Sequence, residues 1–160
     1  MSAARYVVSF VCSGNICRSP MAESIFRQHL DKAGLADLVE VNSAGIGGWH
    51  VGEPMEERAA DTLATAGYST EHAAAQVGPE HLDADLILAM DRGHYKALLR
   101  LVDDPAKVRL FRSFDPAADQ ADLDVPDPYY GPREGFDELL PMLAAAMPGL
   151  VEFVRAQVAG

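Results

Sequence analysis

The chain has 160 residues, is 49% hydrophobic and 23% charged, and carries a net charge of −11 with a pI near 4.7. That length suits a single domain, residues 1–160, with an ample core, and the acidity argues against nucleic acid or an anionic membrane as the main partner. The two cysteines, Cys12 and Cys17, are too few and too close for a disulfide framework or a zinc ligand set, and no apolar stretch reads as long enough to span a membrane.

The first element is the continuous apolar run Tyr6–Val11, a strand of the kind buried on both faces. It flows into the Cys12 loop and not into a small-residue cleavage site, so it is expected to be a strand and not a signal peptide. A cytoplasmic protein is expected, with non-classical secretion left open. A helix follows over Ser19–Ala33, with Met21, Ala22, Ile25, Phe26 and Leu30 forming one stripe and Gly34 ending it. Leu38–Val41 reads as a second strand, followed by Ser43-Ala44-Gly45. The glycine-rich segment Ile46–Pro54 carries Trp49 and His50. Glu56–Ala66 is a second helix, Asp85–Met90 a third strand, Gly93–Leu101 a helix and Val108–Phe111 a fourth strand. Residues 114–133 are a loop dense in aspartate and proline. Glu134–Ala159 closes the chain as a helix that Pro141 and Pro148 should bend or restart. Buried strands alternating with helices give an α/β fold: three layers, α/β/α, around a parallel sheet of roughly four strands. Ligands of such sheets bind at the carboxyl ends of strands, where Cys12 lies.

Cys12-Ser13-Gly14-Asn15-Ile16-Cys17-Arg18-Ser19 is the stretch that carries chemistry. It joins a strand to a helix N-terminus, with a thiol at its start and a guanidinium at its end. The thiolate is the nucleophilic form of cysteine, and a helix N-terminus and a nearby cation both favour it. Ser19 is placed to donate a hydrogen bond to the sulfur. Gly14 permits backbone that a Cβ would obstruct, so successive N–H groups can form an anion-binding nest. Arg18 offers a planar fork to two phosphate oxygens, and Asn15 can hold the loop's shape. These are the parts needed to bind a phosphate monoester and attack it.

Cys-Ser-Gly-Asn-Ile-Cys-Arg-Ser-Pro near the N-terminus resembles the signature loop of the low-molecular-weight protein tyrosine phosphatases. The resemblance runs through Ser43-Ala44-Gly45, Gly48-Trp49-His50, Ala89-Met90-Asp91 and Asp127-Pro128-Tyr129-Tyr130-Gly131. It points toward actinobacterial members, some of which are released by pathogens into host cells. It implies that Cys12 is the nucleophile, Arg18 the phosphate binder and Asp127 the general acid and base. Without it, Asp115, Asp119, Asp122 and Asp124 would be equal candidates for that proton. It further implies that Ser13, Gly14, Asn15, Ile16, Cys17 and Ser19 build the phosphate loop. Ser43 and His72 would support it by hydrogen bonds, although His72 read alone is an exposed histidine beside Glu71. Trp49, His50, Tyr129 and Tyr130 would wall a cleft fitted to a phenyl ring.

The implied reaction needs no metal and no cofactor. The implied partners are tyrosine-phosphorylated proteins, with phosphate and other oxyanions as inhibitors in the loop; a monomer is expected. Cys17 has two readings: a small buried support for the loop, or a redox partner that shields Cys12 as a disulfide. Two rival functions stand beside the phosphatase. An arsenate reductase would need further cysteines after Cys17, and there are none. A non-catalytic phosphoprotein-binding module would be expected to lack Cys12 or Asp127.

Overall fold

The computed structural model describes residues 5–159. Four parallel strands, β1 (Tyr6–Cys12), β2 (Val39–Gly45), β3 (Leu86–Ala89) and β4 (Val108–Leu110), form one sheet in the order β2-β1-β3-β4. The helices are α1 (Arg18–Ala33), α2 (Glu57–Thr65), α3 (Pro79–Leu82), α4 (Arg92–Leu99) and α5 (Glu134–Ala159).

Residue alternation in β1 explains the layers. Val8, Phe10 and Cys12 point to one face and Val7 and Val11 to the other. On the first face, Phe10 meets Phe26 of α1 and Phe111 edge-to-face, with ring centroids 5.6 and 5.8 Å apart. The α5 residues Phe136, Leu139, Leu143 and Leu150 complete that layer. On the second face, Val11, Ile87 and Ala89 pack under Leu98 of α4 and Leu82 of α3. The expected α/β/α sandwich is therefore the observed one.

Element ends differ from the sequence reading in instructive places. β2 continues to Gly45 because its far end pairs with Val11 and Cys12 of β1. β4 stops at Leu110, and Phe111 turns into a 3-10 segment that carries its ring into the core. The short helix α3 was not expected. α5 runs unbroken through Pro141 and Pro148. Both prolines lie on its exposed side, so the carbonyls they leave without an N–H partner, those of Asp137 and Ala144, are not sealed in the core. The same helix overturns the expectation that no apolar stretch reaches membrane-spanning length: by length and composition alone it does. Here its apolar stripe is spent on the first face of the sheet.

The strand order places the site. The chain leaves β1 for β2 on one side and returns to β3 on the other, so the order reverses between β1 and β3. Loops diverge there and leave a crevice at the carboxyl ends of those strands. Cys12 ends β1, and Asp91 follows β3 by two residues.

Candidate active site

The loop after β1 is fastened from several directions. The Cys12 and Ser13 carbonyls accept hydrogen bonds from the Ile46 and Gly47 N–H groups at 2.9 and 3.0 Å. Gly45 lets this strap lie close, since a Cβ there would sit 2.7 Å from the Ser13 carbonyl oxygen. Asn15 adopts φ +60°, a left-handed geometry that asparagine tolerates better than most residues. Its side-chain amide donates to Ser19 Oγ at 2.8 Å and Ser43 Oγ at 2.9 Å and accepts from the Ala75 N–H at 2.9 Å. Ser43 in turn donates to Glu23 Oε1. His72 Nε2 reaches the Asn15 carbonyl oxygen at 2.6 Å, so His72 belongs to the network and is no bystander.

Cys12 Sγ lies 2.9 Å from Ser19 Oγ. Cys17 is also a free, buried thiol. Burial, and after it the charge of Glu56, pushes its pKa well above the usual thiol range. Cys17 is therefore held as a protonated thiol at neutral pH.

Arg18 is 3% exposed and its donors are already partly spoken for. Nη1 donates to Asp91 Oδ2 at 2.9 Å and to the Val125 carbonyl at 3.0 Å. Nη2 donates to Ser13 Oγ at 3.3 Å and lies 3.6 Å from Asp127 Oδ2. Nη1 is thus consumed, and the Nε–Nη2 edge is the fork left for an anion. Burial alone would raise the Asp91 pKa. The His94 N–H, the His94 ring and the Arg18 guanidinium outweigh it and hold the carboxyl below its ordinary range.

Asp127 enters from the long loop before α5. The Val125 N–H donates to the Met90 carbonyl at 2.8 Å, which stitches this loop to the end of β3. Asp127 Oδ1 accepts from the Tyr129 N–H at 3.1 Å, an Asx turn that aims the other oxygen at the cleft. Arg58 clamps the far side, donating to the Tyr129 and Gly131 carbonyls at 2.8 Å each. Its guanidinium also lies 4.5 Å from the Phe136 ring centroid.

Cys12, Ser13, Gly14, Ile16, Cys17, Arg18, Trp49, His50, Asp127, Tyr129 and Tyr130 line one cleft of about 110 Å³. Every expected cleft residue is there. Asn15, Ser19, Ser43 and His72 stand behind it, as the resemblance implied. Asp115 and Asp119 instead cap local turns at Ala117 and Ala121. Among the described residues, no group of three or more His, Cys, Asp or Glu side chains is placed to hold a metal ion.

The sequence reading missed the roles of Asp91, His94, Arg58, Glu23 and Val125. Asp91 was legible in part: an aspartate just after a buried strand and before a helix is an N-cap signal, and it does accept from the His94 N–H at 3.0 Å. Strand order would have brought it beside Cys12. Nothing local marks Arg58 among other exposed-helix arginines.

A thiol, a fixed guanidinium fork and a carboxylate around one cleft equip it for displacement at a phosphate monoester. That is the class of chemistry the fold and site define. The comparisons agree with it. Residues 7–159 match the family described as low molecular weight phosphotyrosine protein phosphatase. The low molecular weight protein-tyrosine-phosphatase of Streptomyces coelicolor is 55% identical over 159 residues, covering 97% of each chain. The low molecular weight protein-tyrosine phosphatase A of Mycobacterium tuberculosis is 53% identical over 152 residues, covering 95% of this chain and 93% of that one. Among solved structures, YfkJ from Bacillus subtilis superposes with a TM-score of 0.88 at 36% identity, covering 97% of this chain and 98% of that one. The chain belongs to the low molecular weight protein tyrosine phosphatases, and its actinobacterial resemblance is borne out by these relatives.

Proposed function

We propose that the protein removes phosphate from phosphotyrosine in proteins, with Cys12 as nucleophile, Arg18 as phosphate binder and Asp127 as general acid and base. The observation that carries this is the meeting of two distant segments: Arg18 Nη2 lies 3.6 Å from Asp127 Oδ2, in the cleft that Cys12 also lines.

The reaction has two steps. In the first, an S–P bond forms between Cys12 and the substrate as the P–O bond to the phenol breaks, and Asp127 in its acid form gives its proton to the leaving phenolate oxygen. In the second, water attacks phosphorus, its proton passes to the Asp127 carboxylate, and the S–P bond breaks to release inorganic phosphate. The Nε–Nη2 edge of Arg18 and the loop amides hold the equatorial oxygens through both steps. The Arg18 guanidinium is held by Asp91, the Val125 carbonyl and Ser13 before substrate arrives, so it needs little reorganisation as charge develops. The Ser19 hydroxyl, 2.9 Å from the sulfur, supports the thiolate as attacker and as leaving group.

Aromatic selectivity is supported by the rim. Tyr129 and Tyr130 form an edge-to-face pair with centroids 4.9 Å apart, and the His50 ring lies 6.5 Å from Tyr129. Trp49 packs back over Gly47, where a Cβ would fall 2.2 Å from the indole. A flat phenyl ring fills such a slot, whereas phosphoserine would leave it empty. The test is hydrolysis of p-nitrophenyl phosphate and of matched phosphotyrosine and phosphoserine peptides. The reading expects turnover of the first two and little of the third. Equal rates on both peptides would overturn the selectivity, and inactivity on all three would overturn the reaction.

We also propose the cytoplasm as the working compartment, supported by two cysteines that are both free thiols. A Cys12–Cys17 disulfide remains a proposal for oxidising conditions. Its formation requires Cys17 to shed a proton that burial makes hard to lose, so it should be slow. If Cys17→Ser recovers from peroxide as fully as the unmodified chain, Cys17 has no protective role.

A further inference from the structure

His94 is a buried titratable group that the phosphoryl steps leave unused. It sits on α4 and is 5% exposed. Nε2 lies 2.9 Å from Ser13 Oγ, and Nδ1 lies 3.1 Å from Asp91 Oδ1. Ser13 Oγ also takes a hydrogen from Arg18 Nη2, and Asp91 Oδ2 takes one from Arg18 Nη1. Guanidinium, carboxylate, imidazole and hydroxyl therefore close a ring directly behind the phosphate fork.

Donor and acceptor chemistry fixes the two arginine bonds of that ring and leaves the direction of the Ser13–His94 bond to the tautomer of the imidazole. Arg18 only donates and the Asp91 carboxylate only accepts. The Ser13 oxygen must accept from Arg18, which leaves it one hydrogen to give and one lone pair to receive. A neutral imidazole has one N–H and one lone pair. A carboxylate oxygen 3.1 Å from Nδ1 favours a proton over a bare lone pair on that nitrogen, which is the basis for placing the proton on Nδ1. That N–H points off the line to Oδ1, for Nδ1 makes no well-formed hydrogen bond, and the contact is mainly electrostatic. Nε2 is then a lone pair, and the Ser13 hydroxyl is the donor beside it. The ring stays neutral near pH 7: burial, and after it the charge of Arg18, lowers the His94 pKa to about 4 against the opposing pull of Asp91, Asp127 and Asp124.

We propose that His94 is a positioning residue for phosphate binding: by accepting the Ser13 hydroxyl hydrogen at Nε2, it turns the Ser13 oxygen toward Arg18 Nη2 and holds the guanidinium with its Nε–Nη2 edge to the anion. Without that acceptor the Ser13 hydroxyl is free to rotate its hydrogen against the arginine, and the fork loses one of its anchors. The kinetic part of the test rests on the phosphatase reading; the tautomer does not.

Nitrogen-15 NMR of the full chain at pH 7 should show the His94 proton on Nδ1 and none on Nε2. A proton on Nε2 overturns the proposal whether or not the protein is active. With inorganic phosphate as probe, His94→Phe should raise the inhibition constant about 10-fold, as loss of one hydrogen bond in a charge-linked chain implies. Its kcat on p-nitrophenyl phosphate should fall much less. Ser13→Ala should show a similar phosphate defect, and the double variant no more than either alone. His94→Gln, with a carbonyl oxygen able to reach the Nε2 position, should recover most of the affinity. An inhibition constant within twofold of wild type in folded His94→Phe, additive single effects, or a His94→Gln no better than His94→Phe would each overturn the proposal. If His94→Phe fails to fold, the tautomer and the phosphate affinity of His94→Gln decide: wild-type-like affinity supports the proposal and a 10-fold loss overturns it. Failure of the phosphatase reading looks different, because wild type itself would not turn over p-nitrophenyl phosphate.

Discussion

The loop after β1 and the loop before α5 face the same cleft, but they are built in opposite ways. In the first, Cys12, Asn15, Ile16, Cys17, Arg18 and Ser19 are all buried. They are cross-linked to β2, α1, the start of α4 and the segment around Ala75. In the second, the Asp127 side chain is 40% exposed and Tyr130 is 91% exposed. That loop is held chiefly through its backbone, by Arg58 on two carbonyls and by Val125 between Met90 and Arg18. The contrast follows the chemistry. Charge on the equatorial phosphate oxygens persists through both steps and is best met by donors fixed in advance. The group that exchanges a proton with the leaving phenol and then with water has to remain reachable by both.

The largest effect should come from the buried half. Cys12→Ser should lower turnover on the order of a million-fold, the scale seen when a catalytic nucleophile is removed, while inorganic phosphate still binds, because Arg18 and the amides remain. Loss of phosphate binding together with turnover would mean that the loop is not independently built. Asp127→Ala should cost about 100- to 10,000-fold on phenols that are poor leaving groups and far less on p-nitrophenol. An equal loss across leaving groups would remove Asp127 from proton transfer.

The buried half should also carry a pH signature. An unfolded histidine takes up its proton near pH 6.5, whereas folded His94 resists until about pH 4. Its stabilising contribution is therefore full above that window and is lost as pH falls through it. Wild type should lose roughly 3 kcal/mol over this range relative to His94→Gln, read by urea denaturation at several pH values. Parallel pH profiles would show that His94 is not buried as described. The Asp91 contribution lies below this window, since its carboxyl is held under its usual range.

Arg58→Ala should act on the exposed half alone. It frees the Tyr129 and Gly131 carbonyls, and a loss of about 10-fold in kcat for poor leaving groups is expected from two charge-assisted hydrogen bonds, with phosphate inhibition unchanged. A rise in the phosphate inhibition constant would show that the two halves are not separable. Tyr130→Ala should be the mildest, raising KM for a phosphotyrosine peptide about threefold, in keeping with one exposed aromatic contact, and leaving p-nitrophenyl phosphate nearly untouched.

This division also explains what could be read from the sequence. The buried half is contiguous: strand, Cys12, Gly14, Arg18, Ser19 and helix lie within one stretch, and the apolar stripe of α1 marks where the loop must end. The exposed half is not. Asp127 could be singled out only through family resemblance, because its aspartate neighbours have the same local character. Asp91, His94 and Arg58 act across 73, 81 and 71–73 residues of chain, and their partners are set by strand order and loop packing. Periodicity carries no trace of such pairings. The helix Glu134–Ala159 was legible with its bounds, but that it would not restart at Pro141 or Pro148 was not, because whether the carbonyls those prolines orphan can face water is decided by packing.

The central claim is that Cys12 takes the phosphoryl group while Asp127 serves the leaving group. Acid-quenching wild type within milliseconds of mixing with a phosphotyrosine peptide, followed by peptide mass spectrometry, tests it directly. The account predicts one added phosphoryl group on Cys12, absent from Cys12→Ser. Turnover with no phosphorus on Cys12, or phosphorus on another residue, would contradict it.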